Sequence, residues 1–269
     1  MGRRTVICGG QNKAGILMDF QRAAELVLET KAIVMDEKAA RQVTVKGQAD
    51  YVTQVDFAVQ SYLKERLLAL HPQAGFLAEE QENVDYSGRP AWILDPIDGT
   101  TNLIHGYQMS AVSLAFYDGQ AVVFGAVYNP FTEELFTAQR GRGAYCNGVP
   151  IQCTQTREIA SCLVAIGTAP YYKEEAARNF ERFQTVFLAC QDIRRSGSAA
   201  LDLCYVACGR IDAYFERHLK PWDYAAGQLL IQEAGGCVTG WQGEMLAATE
   251  INDVLATNGK IHERFLEVL

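Results

Sequence analysis

Only four histidines occur in the chain, at positions 71, 105, 218 and 262, and none stands at a ligand spacing from another. That argues against a zinc site built on imidazole. Eight cysteines are scattered at 8, 146, 153, 162, 190, 204, 208 and 237 without a CxxC pair, so neither a thiolate metal site nor a disulfide framework is indicated. They read as free thiols of a reducing compartment. No Lys/Arg run exceeds a pair and the formal net charge is -8, which argues against nucleic acid or an anionic membrane as the main partner. Apolar stretches are short and interrupted, so no membrane span is expected. The start, MGRRTVICGGQNK, has twin arginines with no apolar run of signal length behind them, and Thr5 comes one place too early for a myristoylation signal. The expectation is a soluble cytoplasmic protein with a ragged segment at 1–15.

Internal repeats, low-complexity tracts and a Pro/Gly/Ser linker are absent as well, while 49% of the 269 residues are hydrophobic, enough for a large core. The chain reads as one structural unit of two lobes, 16–150 and 151–269. Ile16, Leu17, Phe20, Ala24, Val27 and Leu28 recur at helical spacing, as do Val55, Ala58, Val59, Tyr62, Leu63, Leu67 and Leu70, predicting two long helices. Short strands are predicted at FLAEE and AWIL. The runs SAVSLAFY and AVVFGAVY, separated by Asp118-Gly119 and followed by Asn129-Pro130 and GRGAYCNG, predict an antiparallel meander. Further on come a strand near SCLVAIGT, helices over 173–190 and from Ser198 to about Cys208, and the strand IDAYFE. Asp223 is read as the cap of a helix that Gly235 and Gly236 stop. Helices layered with sheets are the expected α+β architecture.

The chemistry-bearing side chains are acids at element ends: Asp56, Glu79, Glu80, Asp95, Asp98, Glu216 and Asp223. Carboxylates select hard cations, and without a DxDxDG loop Mg²⁺ is preferred to Ca²⁺. The stretch AWILDPIDGTTN (91–102) is the densest. Asp95 precedes a proline and is extended, so the chain is expected to leave the strand there and bring Asp98 near Asp95. Gly99 permits close approach, and the Gly99 and Thr100 amides would face a phosphate if a helix starts there. Taken alone, Asp-Pro and Asp-Gly are also ordinary turn pairs.

DPIDGTTN after WIL, with WDYAAGQLLIQEAGG at 222–236, resembles the two signature motifs of the inositol monophosphatase family of Mg²⁺-dependent, lithium-sensitive phosphatases. ADYVTQVD (49–56), FLAEE, GSAALDLCYVACGRIDAYFE (197–216) and LKPWD (219–223) agree with it. The resemblance, from about residue 16 onward, implies a five-layered αβαβα sandwich of the inositol monophosphatase or sugar phosphatase type, usually a homodimer. It also implies two or three Mg²⁺ ions. Glu79, Asp95 and the Ile97 carbonyl would hold the first, Asp95, Asp98 and Asp223 the second, and Glu79 a weaker third. Asp56 and Thr100 resemble the pair that orients and deprotonates the attacking water, with Glu79 beside them. Gly99 and Thr100 would hold the phosphate, and Asp98, Ala199, Glu216 and Asp223 the substrate hydroxyls. Lys46 matches a lysine near the site.

Two metals can supply most of the acceleration that phosphate monoester hydrolysis needs, one activating water and one stabilising the leaving oxygen, and the sequence offers no convincing nucleophile triad. Among the other residues, Glu80 reads as an outer acid, Trp222 as packing behind Asp223, Cys204 and Cys208 as buried small residues, His105 as a loop residue and Asp202 as a structural acid paired in the core. Ala78 stands where a glycine commonly precedes the paired glutamates, NLIHGYQMSAVS lacks a proline and aromatic often seen after its glycine, and His218 near Glu216 departs from the family pattern. These departures bear on the substrate. Related enzymes act on inositol monophosphates, fructose 1,6-bisphosphate, histidinol phosphate or adenosine bisphosphates. Thr101 and Asn102 follow the inositol type and not the DGTKEF of the nucleotide branch. The expected substrate is inositol monophosphate, with a sugar or other alcohol phosphate second and a non-catalytic metal-dependent binding module as the alternative from another class.

Overall fold

The computed structural model describes residues 20–47, 49–82, 86 and 88–269. Cys8 and the expected helical start at Ile16 and Leu17 lie outside them. Helix α1 (Phe20–Glu29) leads through two short helices, α2 (Lys31–Val34) and α3 (Glu37–Ala40), to a hairpin of β1 (Val43–Gly47) and β2 (Asp50–Thr53) that the sequence reading did not name. Next come α4 (Gln54–Leu70), β3 (Gly75–Ala78), β4 (Pro90–Asp98) and the short α5 (Thr100–Ile104). The expected meander follows as β5 (Ala111–Asp118), β6 (Val122–Asn129), β7 (Glu134–Gln139), β8 (Ala144–Cys146) and β9 (Val149–Pro150). The second half contains β10 (Leu163–Ile166), α6 (Ala176–Ala189), β11 (Asp192–Arg194), α7 (Ala199–Ala207), β12 (Ala213–Leu219), α8 (Pro221–Glu233), β13 (Cys237–Thr239), β14 (Asn252–Thr257) and α9 (His262–Val268).

Strands β3 to β9 form a seven-stranded sheet in chain order, parallel at β3–β4 and antiparallel beyond. A five-stranded sheet has the order β11-β10-β12-β14-β13. Because successive strand residues face opposite ways, each sheet feeds two cores. Ile93 faces the core that holds α7 and α8, whereas Trp92 and Leu94 face the one that holds α1 and α4. Tyr214, Val254 and Ala256 enter the α7/α8 core from the smaller sheet, while Phe215 and Leu255 pack with Phe183 of α6 and Phe265 of α9. The layers therefore run helix, sheet, helix pair, sheet, helix, the expected αβαβα sandwich. Burial on both faces explains why these strands read as nearly continuous apolar runs.

Two expectations are corrected. The chain does not leave the strand at Asp95: β4 continues to Asp98, with one extra residue between Asp95, opposite Ser113, and Asp98, opposite Ala111. This bulge arises because Pro96 has no N–H for the ladder and the Ile97 N–H is taken by Asp95 Oδ1 at 2.9 Å. Asp223 is not the cap of its helix either. Pro221 opens α8, a favoured first position, and Asp223 sits two residues further in, where its Oδ2 accepts the Lys220 N–H at 2.7 Å.

The middle layer is tightly packed. A Cβ added at Gly227 of α8 would fall 2.5 Å from the Leu203 Cβ of α7, and one at Gly125 of β6 would fall 2.9 Å from the Ala226 carbonyl oxygen. Gly227→Ala should therefore lower unfolding stability by about 1–3 kcal/mol through overpacking, despite the ~1 kcal/mol that alanine gains in a helix. Urea denaturation measures it, and a stabilised variant would contradict this account of the helix crossing.

Candidate active site

The parallel pair β3 and β4 ends on acids at one edge of the larger sheet. Glu79 follows β3 and donates its N–H to the Leu94 carbonyl at 3.3 Å, which keeps it beside β4. The bulge in β4 aims Asp95 and Asp98 to one side, and the N-terminus of α8 brings in Asp223. Carboxylate oxygens of Asp95, Asp98 and Asp223 all lie within 4.8 Å of one another. Among the described residues no lysine or arginine forms an ion pair with any of the three. Burial raises the Asp95 and Asp223 carboxyls well above the usual carboxylate range, and the neighbouring acids raise them further. Burial likewise lifts Asp98 to about 6, against the pull of Ser198 and Ala200. Glu79 is lifted to about 7 by burial, opposed by Lys46. Clustered carboxylates without a cation of the chain are the donor set of a hard divalent metal.

Asp98 is held from the middle layer: its Oδ2 accepts hydrogen bonds from Ser198 Oγ and, at 2.8 Å, from the Ala200 N–H, around Ala199 at the start of α7. Asp56 is fully buried at the third position of α4, a place equivalent to that of Asp223 in α8. Its Oδ2 accepts from the Thr53 N–H at 2.9 Å and from Thr53 Oγ1 at 2.6 Å, leaving Oδ1 to Thr100 Oγ1 at 3.1 Å. Burial raises the Asp56 carboxyl in spite of these bonds. Thr100 Oγ1 also lies 3.0 Å from the Ile97 carbonyl oxygen, so its one hydrogen chooses between the two acceptors. Gly99 has φ +88°, and a Cβ there would come 2.8 Å from the Met109 carbonyl oxygen, so both conformation and space call for glycine.

These residues line a cavity of about 920 Å³, with the expected Glu79, Ile97, Thr100, Ala199 and Glu216 among its walls. Asp56 is placed behind Thr100 and acts on the cavity through it. Glu216 is fixed by Tyr214 Oη at 2.6 Å and the Ala169 N–H at 2.8 Å, and Gly167 leaves it room, since a Cβ there would meet the Glu216 Cδ at 1.9 Å. Lys46 also reaches the cavity, but its ammonium rests on Glu80 at 2.7 Å and Glu79 at 3.3 Å. Burial works against its charge, and the two glutamates outweigh burial and raise its pKa. Glu80 is thus an outer acid that anchors Lys46. Trp222 both packs against the core and lines the cavity.

His218 does not face the cavity, although Glu216 is two residues away. An irregularity in the β12–β14 pairing between Glu216 and Leu219, with His218 at φ 58°, turns its ring to Glu175, 3.1 Å away. Asp202 corrects another expectation: it lines the cavity and hydrogen-bonds Ser196, with no ion-pair partner among the described residues. Arg195, Tyr171, Lys173 and Lys220 line the cavity too and were not singled out from sequence. Lys220, next to PWD, carried a signal in its position; Tyr171 and Lys173 sit on a connection without one. The seven cysteines of the described residues are all free thiols.

Comparison with known proteins bears on the family and the fold. The family model described as the inositol monophosphatase family matches residues 13–269. The chain is 41% identical over 203 residues to an inositol-1-monophosphatase of Rhizobium meliloti, covering 75% of this chain and 76% of that one. It is 40% identical over 204 residues to the Nus factor SuhB of Vibrio cholerae, covering 75% and 76%. The crystal structure of the extragenic suppressor protein suhB from Bartonella henselae superposes with a TM-score of 0.86 at 34% identity, over 93% of this chain and 97% of that one. The chain belongs to the inositol monophosphatase family, whose enzymes hydrolyse phosphoric monoesters.

Proposed function

We propose that the protein hydrolyses inositol monophosphate to inositol and phosphate with Mg²⁺ as cofactor. The observation that carries this reading is the convergence of Asp95, Asp98 and Asp223 within 4.8 Å, without a basic partner, next to the Asp56–Thr100 pair. The donor set is all oxygen, as Mg²⁺ requires, and the family is metal-dependent. Glu79, Asp95 and the Ile97 carbonyl would hold one ion, and Asp95, Asp98 and Asp223 a second. Bound there, Mg²⁺ supplies an acidified water and positive charge for the phosphoryl oxygens.

The chain's own groups do the rest. With its hydrogen given to Asp56 Oδ1, Thr100 Oγ1 turns lone pairs outward and accepts a proton-bearing hydrogen bond from the attacking water. The amides of Gly99 and Thr100, at the start of α5, present donors to the phosphate. Glu216, fixed by Tyr214 and Ala169, accepts from a hydroxyl of the alcohol portion, and the start of α7 at Ala199 supports the same part. A sugar phosphate would use the same contacts, so the substrate itself has to be measured.

Phosphate release should depend on Mg²⁺ and be fastest with inositol 1-phosphate in a panel that includes fructose 1,6-bisphosphate, histidinol phosphate and adenosine 3',5'-bisphosphate. Asp98→Asn should lower it by about 100-fold or more, at least the cost of disturbing a metal's outer partners. Binding of Mg²⁺ by folded protein with no release from any ester would favour the non-catalytic module instead.

The raised carboxyls also fix a sign. Asp98 near 6 and Glu79 near 7 have folded values above their unfolded values of about 4. Their contribution to the metal-free fold is complete below about pH 4 and is lost as pH rises through 6 to 7. Mg²⁺ takes the place of those protons, so the rise in Tm at saturating Mg²⁺ should be larger at pH 7.5 than at pH 5. An equal or smaller rise at pH 7.5, measured by thermal scans at both pH values, would contradict the proposed metal site.

A further inference from the structure

Asp202, on α7, takes no part in the roles given above, yet it is only 4% exposed and lines the cavity. A hydrogen bond joins its Oδ2 to Ser196 Oγ at 2.7 Å. Oδ1 has no hydrogen-bond partner among the described residues, and the residue is part of the cavity wall. A carboxyl buried in a core for structure alone has both oxygens satisfied. This one is half satisfied and opens onto the place where a substrate binds.

The hydrogens around Ser196 say more. Its Oγ lies 2.7 Å from Asp202 Oδ2 and 3.2 Å from the Ser198 carbonyl oxygen, and it accepts the Ser198 N–H at 3.1 Å. A hydroxyl has one hydrogen to give. With Asp202 ionised, that hydrogen goes to Oδ2 and the Ser198 carbonyl contact stays unfilled. With the proton on Oδ2, Asp202 donates to Ser196, Ser196 donates to the Ser198 carbonyl, and every contact is satisfied. Burial lifts this carboxyl to about 8 against the pull of the Ser196 hydrogen bond, the charges of Glu216 and Asp98 adding to the rise and that of Arg195 opposing it, in keeping with the second arrangement. Oδ1 is then a fixed carbonyl-type acceptor.

We propose that Asp202 is a specificity-determining residue of this site, whose Oδ1 accepts a hydrogen bond from a second hydroxyl of the substrate's alcohol portion, the first being taken by Glu216. The class of ligand is a phosphate ester of a polyhydroxylated alcohol, a cyclitol or sugar, in preference to a simple alkyl or aryl phosphate. A buried acceptor left unpaired penalises the ester that lacks the hydroxyl. This inference rests on the phosphatase reading.

The test compares kcat/KM for inositol 1-phosphate with that for phenyl phosphate, in Mg²⁺, for wild type, Asp202→Leu, Asp202→Ala and Asp202→Asn. Leu and Ala remove the acceptor, and the inositol-to-phenyl ratio should fall about ten-fold, the worth of one neutral hydrogen bond, through a higher KM. Asn keeps Oδ1 and supplies Ser196 with the same donor, so its ratio should return to within about two-fold of wild type. Equal losses on both esters would overturn the proposal and assign Asp202 to positioning Asp98 through Ser196 and Ser198. An unchanged ratio in Leu and Ala, or an Asn variant as poor as Ala, would overturn it as well. If wild type releases phosphate from neither ester, the phosphatase reading itself fails and takes the proposal with it, an outcome distinct from any change in the ratio.

Discussion

Crowded carboxyl groups that no basic side chain of the described residues pairs with are the constraint on which the site depends. Asp95, Asp98 and Asp223 crowd within 4.8 Å, two of them buried, with no lysine or arginine of the described residues to pair with. Bringing such groups together costs free energy through desolvation and mutual repulsion. Hydrogen bonds answer part of it, from Ser198 and Ala200 to Asp98, from Ile97 to Asp95, and from Lys220 to Asp223. The proposed divalent cation would answer the rest, and the same charge density that disfavours the empty site would favour a hard metal.

The five layers serve that convergence. Strands β3 and β4 run parallel and end together, so Glu79 and the bulged Asp95–Asp98 segment share one edge. The middle helices α7 and α8 begin at the same edge, one presenting Ser198 and Ala200 to Asp98 and the other carrying Asp223. Close packing at Gly125 sets the distance between the larger sheet and α8, and close packing at Gly227 that between α8 and α7. Asp56 and Asp223 occupy matching positions in α4 and α8, each accepting a hydrogen bond from the backbone N–H three residues before it. A helix start thus orients an acid as rigidly as a strand end does.

Much of this was legible in the sequence, for identifiable reasons. Two-sided burial left apolar runs at AWIL and AVVFGAVY, and DPIDGTTN with WDYAAG marked the acids and their family. What escaped has a local cause in each case. Pro96 reads as a strand breaker, whereas the fold absorbs it as a bulge through the Asp95–Ile97 hydrogen bond. Pro221 opens the helix, which puts Asp223 three places inside the cap position expected for it. Asp202 lies among buried residues of α7, and no periodicity shows that this turn of the helix faces a cavity and not a core. His218 lies two residues from Glu216 and turns away only because the strand pairing shifts between them.

The most direct test of the central claim is a count of protons released when Mg²⁺ binds, by isothermal titration calorimetry at pH 6.5 in buffers of different ionisation enthalpy. Net release is expected from the wild type, because burial and crowding leave the carboxyls partly protonated in the absence of the ion, and a much weakened binding signal from Asp95→Asn. Binding without proton release, or binding that Asp95→Asn leaves intact, would contradict it.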